Sequence, residues 1–270
     1  MARPSLGKLV GIGGCLVIGL AGGLAVRAVA NVEPPSSGPP ERAPSDGQLR
    51  AASVSGDVKV LARTGVWRPA RKDDVVRRPT GFEVDVGASN INLVGPDVSI
   101  TALNGARGLI NGLGQPLRVY LRDGLAVVQS PKEQVTVIVE SDDSEITGRS
   151  FGVRVDDGRV LVSAIGREVE VRRKGQIHRF PEGSEAILSS LGFRQVPLAL
   201  ELAVQIESAQ RVGDRWQVRG RTSATATALV AVGSRYARVP VEPDGRFTAN
   251  IAEQQPRPGE LIVQDSAGRE

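Results

Sequence analysis

The chain has 270 residues, with 32 glycines, 17 prolines and only 3% aromatic residues, a balance typical of turn-rich β-structure rather than a helical bundle. One histidine, one cysteine and one methionine exclude a zinc, iron–sulfur, haem or Cys–His catalytic site and an intramolecular disulfide, so we expect no cofactor. The net charge of +4 is too dispersed along the chain for a nucleic-acid-binding face.

The N-terminus contains the strongest local signal. Leu9 to Val26 is an uncharged run long enough to cross a bilayer, with Arg3 and Lys8 before it and Arg27 after it, which predicts an inner-membrane anchor with the rest of the chain exported to the periplasm. Two alternatives stay open. Ala28-Val29-Ala30 has the form of a signal-peptidase site, so cleavage after Ala30 would release the protein into the periplasm, and Ile12-Gly13-Gly14-Cys15 resembles a lipidation motif with Cys15 as its acceptor.

The composition of residues 31–52 predicts a spacer. Five prolines and several Ser and Gly residues leave too little apolar surface to fold, so the segment is predicted to be an extended linker. The prolines are Pro34, Pro35, Pro39, Pro40 and Pro44.

From Gly56 onward, apolar and polar residues alternate, the period of half-buried strands. We predict strands at Val58–Val60, Phe82–Val86, Leu117–Leu121, Val135–Val137 and Val153–Val155. Between such runs stand Asp123-Gly124, Asp157-Gly158 and Lys174-Gly175, which predict hairpin turns because glycine adopts positive φ readily.

A second series of short strands follows Pro197, with the size of a small sandwich. The runs are 198–206, 216–220, 228–232, 238–241, 247–251 and 261–264, with Pro243-Asp244-Gly245 as a turn. The last run, after Leu261, could pair with another chain as a free sheet edge.

Residues 56–188 contain an ordered series of motifs. They are an opening strand at Gly56–Val60, a Trp-x-Pro segment with an acidic turn at Trp67–Val75, and later motifs at Leu121–Val127, Ile146–Val153 and Val169–Ile187. In this order the motifs resemble the FecR domain family of bacterial envelope proteins. Arg149 and the Gly/Asn-rich stretch Arg107–Gln115 depart from the family pattern.

A Val-x-Gly strand at Val218–Gly220, a Pro-Asp-Gly-x-Phe turn at Pro243–Phe247 and the ending Asp265–Arg269 follow. With these motifs, Val212 to Gly268 resembles a bacterial Ig-like repeat. Together the two resemblances imply an all-β protein: a FecR-like twisted β-sandwich or solenoid-like domain at 53–191 and a small Ig-like β-sandwich at 198–270, after an anchor or signal segment at 1–30 and the linker at 31–52. The FecR resemblance implies a non-enzymatic, signal-receiving or docking module. Signal regulators of that family carry a cytoplasmic anti-sigma segment, which we do not expect here because only eight residues precede Leu9.

Two groups of cations are the candidate docking surface for an acidic protein, lipopolysaccharide or wall polymer. The alternative is that they only protect sheet edges as solvated charges. They are Arg68, Arg71, Lys72, Arg77 and Arg78 in the first group, and Arg172, Arg173, Lys174 and Arg179 in the second. Trp67 and Trp216 are predicted to pack in the two cores, His178 to face solvent, and Glu140 to Glu145 to form a charged loop rather than a metal site.

Two functions compete at this point. The first is a membrane-tethered extracytoplasmic module, not an enzyme, that docks an envelope protein of unknown identity. The second is a carbohydrate- or peptidoglycan-binding module, for which a solvent-facing Trp67 or Tyr120 near the Ala102–Gln115 segment would be the sign.

Overall fold

A computed structural model describes residues 48–269 apart from 63, 78, 88, 112–116, 157, 191, 200–202, 224, 233–234, 243 and 253–260. The described residues form strands and turns, which confirms the all-β, sandwich-type class expected from composition and alternation. We call residues 48–197 the N-terminal unit and residues 205–269 the C-terminal unit.

Sixteen strands of the N-terminal unit belong to one sheet. In chain order they are β1 (Gln48–Ser55), β2 (Val58–Leu61), β3 (Trp67–Pro69), β4 (Val75–Arg77), β5 (Thr80–Val84), β6 (Asn90–Val94), β7 (Ser99–Asn111), β8 (Leu117–Gln129), β9 (Val135–Val139), β10 (Ser144–Gly148), β11 (Ser150–Asp156), β12 (Arg159–Ala164), β13 (Val169–Arg173), β14 (Gln176–Phe180), β15 (Ser184–Ser189) and β16 (Gly192–Pro197).

The main path of this sheet runs β14-β13-β10-β9-β8-β11-β12-β15-β16. β7 branches from β8 and carries β5 and β6, which in turn carry β2 with β3 and β1 with β4. Buried side chains from β1 to β15 join in a single apolar cluster, with Phe82, Phe151 and Phe180 among its largest members. The sheet therefore curls over on itself, and alternation places one face of its strands inside.

β7 and β8 are the longest strands, 13 residues each, or roughly 43 Å when extended. The hairpin predicted at Asp123-Gly124 is wrong, because both residues lie inside β8. Gly124 has φ +79°, and the register with β7 shifts between Leu103 and Gly108. The glycine therefore marks a β-bulge, where the strand bends without ending.

The other predicted hairpins are confirmed. β11 and β12 pair up to Asp156 and Arg159, with Gly158 at φ +74° in the turn, and β13 and β14 pair up to Arg173 and Gln176. β9 lies parallel to β8, and its residues Val135, Val137 and Val139 are buried.

The C-terminal unit is a small sandwich of two three-stranded sheets, β17-β18-β21 and β20-β19-β22. Its strands are β17 (Gln205–Val212), β18 (Arg215–Arg221), β19 (Thr227–Val232), β20 (Arg235–Val239), β21 (Arg246–Ala252) and β22 (Leu261–Gln264). Val218, Phe247 and Ile251 from one sheet meet Val230 and Leu261 from the other in a second apolar core. The first strand predicted here, 198–206, lies further along, at 205–212.

β1 begins at Gln48, inside the segment predicted as linker, because Leu49 and Ala51 are buried in the N-terminal core. The predicted membrane segment Leu9–Val26, the cleavage site at Ala30 and the lipidation site at Cys15 lie outside the described residues. Within the described part, no helix long and apolar enough to span a membrane occurs.

Candidate docking surface

The first cationic group begins on β3, continues through the turn that follows and reaches β4. Three of the exposed large hydrophobic residues of the described chain belong to the same stretch: Val66 (62% exposed), Trp67 (41%) and Val75 (54%). We call residues 66–75 the Trp67 segment. Its tryptophan and its arginines are residue types that protein–protein hot spots favour.

The prediction that Trp67 packs in the core is wrong. β3 is an edge strand that pairs with β2 alone, and the outer ring of Trp67 covers Gly81, with its Cη2 2.9 Å from where a side chain at Gly81 would begin. Trp216, in contrast, is half-buried against the C-terminal core, as predicted. An edge strand leaves one side of the indole uncovered, and the sequence pattern around Trp67 does not reveal this.

An ion pair shapes the turn of the Trp67 segment. Arg68 Nη1 lies 2.6 Å from Asp74 Oδ2, and the backbone N–H of Arg71 donates to the same oxygen at 2.8 Å. Desolvation of Asp74 opposes its ionisation, but the two hydrogen bonds and the positive charges of Arg68 and Arg71 together outweigh that effect, so the pKa of Asp74 lies below its usual value. Arg68 is therefore committed to the turn and is not a free docking cation.

Arg71 and Lys72 are exposed, and neither side chain makes an ion pair among the residues that the structure describes. They are the cations of the first group best placed to meet a partner. Arg77 is described as the backbone partner of Gln48 in β4. Arg78 lies outside the described residues.

The second cationic group surrounds the β13–β14 hairpin and is largely neutralised within the chain. Arg179 Nη2 and Arg172 Nη2 lie 2.9 and 3.5 Å from the carboxylate oxygens of Glu170. Arg173 Nε lies 2.9 Å from Asp142 Oδ2, and its Nη1 donates to the Ser189 carbonyl. Lys174, the remaining cation of the second group, is exposed at the tip of the turn with φ +48°.

The two groups do not form one continuous strand face. β3 and β4 attach to β2 and β1, whereas β13 and β14 lie at the end of the main path of the sheet. Ile177 on β14 is 52% exposed beside the second group. Four of the five exposed large hydrophobic residues found in the described chain thus lie in or beside the predicted cationic stretches.

The prediction that His178 faces solvent is wrong. Its ring stacks on Phe193 of β16, with 4.1 Å between ring centroids and 7° between planes, and the side chain is half-buried. The neighbouring Ile177, and not His178, has the solvent-exposed side chain. The stacking partner lies on a distant strand, so local alternation could not identify it.

The acidic stretch Glu140 to Glu145 is tied to β13 through the Asp142–Arg173 pair. In the described ranges, no group of three or more His, Cys, Asp or Glu residues is arranged to hold a metal ion.

A buried polar network between the two units is the main feature that the sequence did not reveal. Arg154 of β11, 3% exposed, donates to the carbonyls of Gln264 and Asp265 at 2.9 and 2.7 Å and to Gln264 Oε1 at 3.1 Å. Asn104 Nδ2 donates to the same Oε1 at 3.0 Å. Desolvation lowers the pKa of Arg154 to about 10, opposed by Asp156, Asp265 and Glu185, so the guanidinium stays charged at neutral pH.

Glu185 of β15 completes the network. Its carboxylate accepts hydrogen bonds from Ser266 and Ser163, and burial raises its pKa, opposed by hydrogen bonds from Ser266 and Thr225. Gly152 leaves space for the Ser266 carbonyl, which lies 2.1 Å from the position that a Cβ at residue 152 would take. The segment after β22 is therefore buried against the N-terminal unit of the same chain. β22 itself pairs with β19 alone, so pairing of this edge with another chain stays a prediction.

No protein-family model matches the sequence. No curated protein matches it either. Among solved structures, the chain is similar to two crystal structures, at 2.50 and 1.65 Å resolution, of a proposed anti-sigma factor from Parabacteroides distasonis ATCC 8503.

Each similarity has 18% sequence identity and a TM-score of 0.37, and covers 43% of this chain and 59% of the other. The matched part is thus about three fifths of the length of those chains. At this TM-score the similarity supports no argument about function, so the resemblance to FecR domains rests on the motifs in the sequence.

Proposed function

We propose that this chain is a non-catalytic interaction or signal-receiving module that docks an acidic protein of the bacterial cell envelope through the Trp67 segment. One observation carries the proposal: the exposed hydrophobic residues Val66, Trp67 and Val75 share a ten-residue stretch with Arg71 and Lys72. Exposed hydrophobic side chains with cations beside them complement a partner surface that has an apolar pocket and acidic residues around it.

The setting of this proposal is periplasmic. The anchor Leu9–Val26 and the proline-rich spacer hold the folded units outside the inner membrane, with cleavage after Ala30 as the alternative. Mass spectrometry of the N-terminus of protein purified from washed membranes tests the setting: a mature chain that starts at Asn31 would replace the tethered form by a soluble periplasmic one.

Site-specific crosslinking in cells tests the docking. A photo-crosslinking side chain at position 66 or 75 is expected to capture one envelope protein, whereas the same side chain at position 212 is not. Val212 is the matched control because it is 57% exposed and lies outside both cationic groups.

Binding of the captured protein, once purified, gives the decisive measurement. Loss of a central tryptophan typically costs a factor of ten or more in Kd, so Trp67→Ala should weaken binding at least about tenfold, and Lys72→Glu should slow association in a salt-dependent way. Val212→Ala should change neither. Equal affinity of the Trp67→Ala variant would refute docking through this segment.

The exposure of Trp67 also favours the second candidate, a carbohydrate- or peptidoglycan-binding module, because exposed aromatic rings stack on sugars. Tyr120 gives less support, being half-buried. Sedimentation with insoluble peptidoglycan separates the two functions: retention that Trp67→Ala abolishes, together with crosslinks to glycan rather than protein at position 66, would establish the carbohydrate function in place of protein docking.

A further inference from the structure

A row of alternating charges crosses four neighbouring strands of the N-terminal unit. Lys59 on β2 is opposite Glu83 on β5, Glu83 is opposite Arg107 on β7, and Arg107 is opposite Asp123 on β8. Residues opposite each other in register point to the same face of a sheet. We call these four residues the charge row.

The other face of the same strands is apolar, which fixes the charge row on the outer side. Val58, Val60, Phe82 and Val84, the chain neighbours of Lys59 and Glu83, are all buried in the N-terminal core. Strand alternation therefore directs the charged residues away from that core.

The charge row does not neutralise itself. In the part of the chain that the structure describes, none of its four side chains forms an ion pair within 4.0 Å, although each has an opposite charge as its cross-strand neighbour. The charged groups of the second cationic hairpin, by contrast, close onto each other at 2.9 Å. The row keeps its charges turned toward solvent.

The C-terminal unit turns this row into the wall of a cleft. Arg238 of β20 pairs with Asp156 of β11, and its Nη2 lies 3.8 Å from where a side chain at Gly105 would begin. The resulting cleft has a volume of about 620 Å³ and is lined by the charge row together with Asp57, Asp85 and Arg238. This volume lies within the range of roughly 300–1,000 Å³ that small-molecule sites occupy.

The lining selects the class of ligand. Four carboxylates and three cations face the same cleft, so a ligand with charges of a single sign would meet about as much repulsion as attraction. Neighbouring strands are about 4.8 Å apart, so the signs alternate at the spacing of the charged groups of a short peptide. A zwitterionic ligand can match both signs at once.

We infer that the cleft between the two units binds a short peptide that carries both free ammonium and free carboxylate groups, with the charge row and Arg238 as its contacts. This site is independent of the docking proposed for the Trp67 segment. A ligand bound here would touch both units, because Arg238 comes from the second one.

Calorimetric titration of the whole exported chain with lysylglutamate, at low and at physiological salt, tests the inference. Spermidine and citrate, at matched ionic strength, serve as probes of one sign. Saturable binding of the dipeptide that weakens with salt, with at least fivefold weaker binding of either single-sign probe, is the expected result. No saturable binding, or equal binding of spermidine or citrate, would overturn it.

Variants locate the binding. Exposed charge contacts are individually modest, so Arg107→Gln and Glu83→Gln should each weaken dipeptide binding roughly two- to fivefold, and Glu83→Lys with Arg107→Glu should abolish it. Arg118→Gln is the matched control, since Arg118 is exposed on β8 but does not line the cleft. If the double variant bound the dipeptide as wild type does, at an unchanged melting temperature, the peptide would bind elsewhere.

Trp67→Ala should leave dipeptide binding unchanged. The two proposals can therefore fail independently of each other.

Discussion

Two sets of charged residues lie close to the junction of the units, and they differ in almost every physical respect. The network of Arg154 and Glu185 is buried, and its groups are hydrogen-bonded to the last residue of β22 and to the segment after it. In the charge row, Lys59, Arg107 and Asp123 are exposed and Glu83 is half-buried, and none of the four side chains forms an ion pair in the described part of the chain. Similar residue types therefore have two different roles. Buried charged groups with satisfied hydrogen bonds stabilise the contact between the units, whereas the unpaired groups of the charge row remain available to a ligand.

The largest expected effect is on the buried set. Arg154→Met removes three hydrogen bonds and leaves the buried oxygens of Gln264 and Asp265 without this charged donor, so we expect the free energy of unfolding to fall by about 3–5 kcal/mol. Urea denaturation measures it. Arg118→Met is the exposed control, and a loss no larger than in that control would mean that the network does not hold the units together.

Gly152→Ala should have the next largest effect. The new methyl group would lie 2.1 Å from the Ser266 carbonyl oxygen, so the segment after β22 must shift, at about 1–3 kcal/mol. Gly166→Ala is the control, since its methyl group would meet only the Ser150 side chain, at 3.0 Å. Thermal melting compares the two, and equal melting temperatures would contradict the close approach of Ser266.

The pH dependence of stability sharpens the comparison further. Because burial raises the pKa of Glu185 in the folded state, its contribution to stability is present below its ordinary pKa of 4.5 and is lost as the pH rises through the folded-state pKa. We expect Glu185→Gln to flatten this decline relative to wild type, as measured by denaturation from pH 4 upward. Parallel curves for the two proteins would show that Glu185 ionises in the folded state as it does in the unfolded chain.

Asp74 should show the opposite slope. Its pKa is lowered, so its contribution is present above its ordinary value of 3.8 and is lost as the pH falls through the folded-state pKa. Asp74→Asn should remove this loss at acid pH. Asp73→Asn, at the neighbouring exposed position, is the control, and identical acid transitions of both variants would argue against the Arg68–Asp74 pair.

The smallest effect is expected in the charge row. Arg107→Gln should change the free energy of unfolding by less than about 0.5 kcal/mol, as exposed substitutions usually do. If chemical denaturation showed a fall in the free energy of unfolding of more than about 1.5 kcal/mol, Arg107 would stabilise the fold. The charge row would then have a structural role like that of the buried network.

Much of the fold was predictable because its signals are local. Alternation located β2, β5, β8, β9 and β11, and the glycines in the turns at Gly158 and Gly175 identified two hairpins. The cationic stretches were also visible in the sequence. Which of their members stay unpaired was not, because Glu170 and Asp142 reach Arg179 and Arg173 only after strands β10, β13 and β14 have paired.

The sequence by itself determined the all-β class, most strand positions and the places where cations gather, since a period of two residues and the backbone freedom of glycine act over a few residues. Tertiary structure alone decided that β8 continues through Asp123-Gly124, that Trp67 stays exposed and that His178 stacks on Phe193. It also decided the burial of Ser266 and the alignment of Lys59, Glu83, Arg107 and Asp123. Each of these features depends on pairing or packing between residues far apart in the chain. The pattern of neighbouring residues does not predict such contacts.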